Sequence, residues 1–224
     1  MRKIRVFAVM AILAVAVSFS TQAFAQTTSK VLMIAREGYS TDLDLMIKME
    51  VGVMTLLLKN AGFEVEVAST SGQPILGSTQ KIEKVSRLSQ IKLENYAGVI
   101  MPCMAVGMLP GPPVSSEAVA IVRKALADGK PVAAAANAGT VLAEAGVLKG
   151  KKYAFATDPV NPGKEFAQTP DKRFEGAIYS GPGVVQDGKI ITSGICPTLE
   201  RFVGTQNGTA ELTKKFIAAI GSPK

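Results

Sequence analysis

Short aliphatic runs, each closed by a turn and followed by a helical pattern, constrain this chain more than any other feature. KVLMIA (residues 30–35), GVIMP (98–102) and PVAAAA (131–136) are almost without polar residues. Runs of that length suit strands buried on both faces, not strands with one wet side. Between them lie helical stretches. Asp42 to Asn60 is apolar-periodic with Gly62 placed as a C-terminal cap, Ser115 to Asp128 carries a Ser cap and ends at Gly129, and Gly139 to Ala145 follows PVAAAA. FEVEVAS (63–69) alternates as a second strand, and Tyr153 to Thr157 is a fifth candidate. Asp187-Gly188, inside Gly183 to Ile191, marks a hairpin, and a last helical region runs from Thr198 to Ile220 with a break at Gly204 to Gly208. Strands alternating with helices predict an α/β, flavodoxin-like three-layer sandwich around a mainly parallel central sheet.

The first 25 residues follow a different logic. Arg2, Lys3 and Arg5 head an apolar run from Val6 to Phe19, and Ala23-Phe24-Ala25 has the small-x-small pattern of a cleavage site. The expectation is a signal peptide over residues 1–25, one domain over 26–224, and a periplasmic or secreted location. The run is too short for a stable membrane anchor. Cleavage removes three basic residues and no acid, so the net charge of +7 falls to +4. Scattered Lys and Arg with few aromatics give no nucleic-acid footprint. Pro, Asn and Gly over Asp158 to Pro170 predict a surface loop.

The chain has no histidine and only two cysteines, Cys103 and Cys196. That removes Ser-His and Cys-His nucleophile pairs and the usual zinc ligand sets, so neither a metal site nor a cofactor is expected. Asp42 and Asp44 beside Glu37 fit complementation of a helix dipole better than a cation site. No phosphate loop or dinucleotide fingerprint is present.

In a sheet of this type, ligands lie outside the carboxyl ends of the strands. Those ends are Arg36 to Ser40, Cys103 to Gly107, Ala136 to Gly139 and Gly194 to Pro197. Both cysteines fall there. Glu50 shares a helical face with Met46, Val53 and Leu57, so a carboxylate projects from an apolar stripe. Burial there would favour its protonated form, whereas a lysine at a solvated rim would leave it ordinary. Ser180 and Ser193 lack a histidine partner, and Met104, Met108 and the loop Met108 to Pro113 either line a pocket or cover the sheet.

These blocks, in order, resemble the ThiJ/PfpI superfamily, relatives of the class I glutamine amidotransferase domain. KVLMIA, Glu50 followed by LLLKNAGFEVEVAS, YAGVIMP, ALADGKPVAAAANAGTVLAEAGVLKGKKYAF and GAIYSGPGVVQDGKIITSG carry the likeness from Lys30 to Ile220. The resemblance implies a helix glutamate at Glu50, a nucleophile elbow at Ala136-Asn137, and a Pro-Gly-Gly turn at Pro102-Cys103-Met104. The family's elbow cysteine is Ala136 here, and its frequent following histidine is Asn137. The attacking atom is gone, while the amides about Ala136, Asn137, Ala138 and Gly139, with Gly194 nearby, stand as a candidate cradle for an anion or carbonyl oxygen.

Three readings of the cysteines stay open: a Cys103–Cys196 disulfide suited to export, two inert thiols, or Cys103 as a displaced nucleophile beside Glu50. A carboxylate neighbour opposes a thiolate, and Arg36 would offset it. The expected function is binding of a small polar or carbonyl ligand, or a protein partner, with little or no catalysis. The alternative is a hydrolase, lyase or glyoxalase-like enzyme using Glu50 with Cys103 or water, and a third is a redox or chaperone-like role. The resemblance further implies a homodimer. Full-length expression in an exporting bacterium should yield a mature chain beginning near Gln26 by intact mass; a chain retaining Met1 to Ala25 would contradict the leader.

Overall fold

The computed structural model describes residues 29–38, 43–105, 113–156 and 171–221. The leader, Asp42, Met108 and the loop over Asp158 to Pro170 lie outside the described residues, so the expectations placed on them are not addressed by it. Among the described residues no helix is long and apolar enough to cross a membrane.

The chain begins with β1 (Lys30–Ile34), then a helix in three parts: α1 (Leu43–Met46), a π turn (Ile47–Val51) and α2 (Gly52–Asn60). After it come β2 (Glu64–Ser69), three two-residue strands β3 (Ile75–Leu76), β4 (Lys81–Ile82) and β5 (Ser86–Arg87), and β6 (Tyr96–Met101). Helix α3 (Ser116–Ala127), β7 (Val132–Ala135) and α4 (Gly139–Glu144) follow. The rest comprises β8 (Lys152–Tyr153), β9 (Ile178–Tyr179), the hairpin β10 (Val184–Asp187) and β11 (Ile190–Ser193), α5 (Pro197–Val203) and α6 (Thr209–Ile220).

Seven strands form the central sheet in the order β10-β11-β7-β6-β1-β2-β5. Every pairing in it is parallel except the β10–β11 hairpin. Successive residues of each strand feed opposite faces. Val31, Met33, Ile100, Ala133 and Ala135 pack with Met54, Leu58, Leu212 and Phe216 under α2 and α6. Leu32, Ile34, Val99, Met101, Val132 and Ala134 pack with Ala118, Val122, Val141 and Leu142 under α3 and α4. These are the three layers expected from the alternating pattern.

Small residues bring the layers close. A Cβ on Gly98 would stand 2.9 Å from the Phe216 ring and 2.9 Å from the Pro131 carbonyl oxygen, so the β6–β7 pair can accept α6 only with glycine there. Ser115 caps α3 by accepting the Ala118 N–H at 3.3 Å, as its position suggests.

Two expectations need correction. Tyr153 does belong to a strand, but β8 pairs with β9 in a separate two-stranded sheet and not with the central one. Asp44 does sit in the first turn of α1, but the helix dipole is not all that it serves. Asp44 accepts the Thr79 N–H and the Gln80 N–H at 2.9 Å, holding the turn between β3 and β4, so its acid serves a loop and not a cation. Glu37 likewise accepts the Ser71 N–H at 2.7 Å. Among the described residues no group of three potential metal ligands occurs.

Phe216 is fully buried between α6 and the sheet. Phe216→Ala should lower the unfolding free energy by about 3–5 kcal/mol, read as a fall in the urea midpoint at unchanged slope. A loss below about 1 kcal/mol would contradict the tight α6 contact.

Candidate functional site

The site starts with a break in helix periodicity. A π turn inserts one residue into the helical register. From Met46 the stripe runs to Glu50, but beyond the turn the buried positions are Met54 and Leu58, not Val53 and Leu57. The extra residue in Ile47–Val51 advances the face by one. Glu50 itself is 1% exposed, which removes the alternative of a rim carboxylate paired with a lysine. A buried carboxylate needs hydrogen bonds. Its Oε2 accepts the backbone N–H of Cys103 at 2.8 Å, joining the first helix to the turn after β6.

Across the turn stands Ala136, at the end of β7. Its φ of 45° makes it the one non-glycine residue with positive φ among the described residues. That conformation costs an L-residue about 1–2 kcal/mol. The turn after β7 therefore holds a strained shape around a methyl group. Cys103, Ala136 and Cys196 pack together as a small buried cluster, flanked by Ala105 and Leu199. The cysteines come from opposite sides of β7, Cys103 two residues past β6 and Cys196 three residues past β11.

Both cysteines are free thiols, so the disulfide, one of the three open readings, is not formed in this structure, although the two side chains do meet. They are not equivalent. A hydrogen bond from the Cys196 thiol is the main influence holding the Cys103 thiol below its ordinary pKa, against the opposing effect of burial. The N–H groups of Ala105, at 3.4 Å, and Asn137 add to it, as does the charge of Arg36. Cys196 is pushed far up, first by that same hydrogen bond to Cys103, then by burial and by the charges of Cys103 and Glu50. The two thiols are therefore unequal, and Cys103 is the more easily ionised of the pair.

The expected amide cradle is altered by this. The Asn137 N–H points to the Cys103 sulfur, and the Gly139 N–H is taken by the carbonyls of Ala136 and Asn137. Ala138 is fully buried, and the Asn137 carbonyl accepts the Thr140 hydroxyl at 2.7 Å. Gly194 supports the site from behind. Its N–H bonds the Pro182 carbonyl at 3.0 Å, and a Cβ would collide with the Phe155 backbone. Ser193 donates to the Ile195 carbonyl and Ser180 to the Ile178 carbonyl, both as structural hydroxyls.

Beside this cluster a cavity of about 400 Å³ opens at the carboxyl ends of β1 and β6. Ile34, Leu88, Met104, Val114, Ala118 and Val141 give it apolar walls, and Arg36, Glu37, Thr70, Ser115 and Thr140 its polar edge. Met104 and Pro113 thus line the pocket, as one of the two readings of that loop required. The sequence did not single out Leu88 or Val141, since both look like ordinary core residues.

Comparisons with known proteins agree with this geometry. A sequence profile described as the DJ-1/PfpI family matches residues 29–205. An uncharacterised protein of Archaeoglobus fulgidus is 31% identical over 66% of this chain and 82% of its own. A deglycase of Thermococcus kodakarensis is 31% identical over 55% of this chain and 69% of its own. Among solved structures, Drosophila melanogaster DJ-1beta superposes with a TM-score of 0.57 at 21% identity, covering 86% of this chain and 94% of that one. A ThiJ/PfpI domain protein from Brachyspira murdochii reaches 0.61 at 14% identity, covering 86% and 96%.

Cys196→Ala removes the strongest support of the Cys103 thiolate. Thiolate absorbance near 240 nm should titrate at higher pH in that variant than the first step of the wild type, by about one unit or more. An unchanged first step would mean that Cys196 does not polarise Cys103.

Proposed function

Because the chain belongs to the DJ-1/PfpI family, we propose that it is an exported member that binds a small ligand bearing a carbonyl or carboxylate, without catalysis by an elbow thiol. The observation that carries the reading is an open cavity beside an elbow that keeps its strained turn around the methyl of Ala136. A volume of about 400 Å³ suits a metabolite-sized molecule. Apolar walls supply desolvation, and Arg36 is the cation on the lining, placed for a carboxylate. Glu50 is a positioning acid that holds the Cys103 turn from below. Export rests on residues 1–25, and a homodimer is part of the same reading.

One observation favours a second reading, an enzyme of hydrolase, lyase or glyoxalase type. Cys103 has a lowered pKa, and one relative is named a deglycase. Against it, the Cys103 sulfur is already contacted by two amides and a thiol, and Cys103 does not line the cavity. A carbonyl compound held in the cavity is therefore not held against the Cys103 sulfur.

Calorimetric titration with glyoxylate, pyruvate and methylglyoxal separates the readings. Saturable binding of an oxo-acid is expected, weakened about tenfold or more in Arg36→Met, with no ligand consumed. Turnover of any of these that Glu50→Gln abolishes would establish the enzyme instead, and absence of binding to all three would overturn the ligand reading.

A further inference from the structure

We propose that Cys103 and Cys196 are a redox-active dithiol, in which Cys103 reacts with a small peroxide and Cys196 resolves the product into an intramolecular disulfide. The proposal is independent of the ligand bound in the cavity.

Three features carry it. The sulfurs meet although their loops follow strands that are not neighbours, because β7 lies between β6 and β11 in the sheet. Strands two apart are separated by roughly 9–10 Å, so side chains can meet only by leaning over whatever ends the strand between them. The residue that follows β7 is Ala136, and it packs in one buried cluster with both cysteines. A longer side chain there would stand between them. The absence of an elbow nucleophile and the presence of a cysteine pair are in this way one arrangement.

The pair is also asymmetric in the sense that this chemistry requires. Cys103 receives the hydrogen bonds of Cys196, Ala105 and Asn137 and lies near Arg36, whereas Cys196 lies near the Glu50 carboxylate. One sulfur is prepared to attack and the other holds a proton to give. Finally, the sulfurs are 5% and 1% exposed at residue level. Burial of that degree excludes a protein disulfide as partner, so the oxidant proposed is a small peroxide.

The chemistry balances with hydrogen peroxide as oxidant. The Cys103 thiolate attacks one peroxide oxygen, the O–O bond breaks, and the departing hydroxide takes a proton to leave as water, giving a sulfenic acid on Cys103. The Cys196 sulfur then attacks that sulfur. The S–S bond forms, the S–O bond breaks, and the released hydroxide takes the Cys196 proton as a second water. Two thiols and one peroxide become one disulfide and two waters. Two equivalents of an external thiol reverse the state, leaving as their own disulfide.

The test treats the full reduced chain with one equivalent of hydrogen peroxide, followed by non-reducing peptide mapping. The expected product links the Cys103 and Cys196 peptides and is lighter by two hydrogens. In Cys196→Ser the same dose should leave Cys103 one oxygen heavier and trappable by dimedone. In Cys103→Ser, Cys196 should react at least ~10-fold more slowly. Wild-type protein that gains oxygen on either cysteine without linking them, or that stays reduced while its urea-unfolded form reacts, would overturn the proposal. The wild-type result decides the matter even if a variant fails to fold.

Discussion

The hydrogen bond from the Cys103 N–H to the Glu50 carboxylate organises the site. A carboxylate sealed beneath a parallel sheet is tolerable only where donors meet it. The π turn aims Glu50 at the end of β6, and the turn after β6 turns its amide down to meet it. With the backbone of Cys103 held from below, its side chain leans over Ala136 toward Cys196 and toward the Asn137 N–H. The strained elbow at Ala136 supplies both the space for the sulfurs and one of the amides that steady them.

This arrangement shows how the strained turn at Ala136 is packed. A methyl group in a left-handed turn leaves a gap above it and an amide pointing into that gap. Cys103 fills both needs, since sulfur is large enough to pack and soft enough to accept weak hydrogen bonds. The cavity lies to one side, bounded by Met104 and Arg36, and neither cysteine is among its lining residues.

The layers were legible because buried parallel strands leave an unmistakable aliphatic signature. KVLMIA, GVIMP and PVAAAA became β1, β6 and β7, and the Asp187-Gly188 pair became the β10–β11 hairpin. The short strands β3, β4 and β5 were not legible, because they are held by Asp44 and by pairing with β2 more than by their own composition. Glu50 stood out as a carboxylate in an apolar stripe, but a regular 3.6-residue period cannot reveal an inserted residue, so Val53 and Leu57 were named where Met54 and Leu58 are buried. The meeting of the two cysteines could be guessed from their places at strand ends. Their asymmetry could not, since it comes from the Ala105 and Asn137 amides, Arg36 and Glu50, drawn from four parts of the chain.

The central claim is that Glu50 holds the Cys103 turn and, through it, the sulfur on the elbow. Amide hydrogen exchange by NMR, comparing wild type with Glu50→Ala at Cys103 and Asn137, tests it most directly. Protection should fall at both amides, by about tenfold or more, even though Asn137 is not the residue bonded to Glu50. If the Asn137 amide keeps its wild-type protection while Cys103 loses its own, the sulfur is placed independently of Glu50 and the account is wrong.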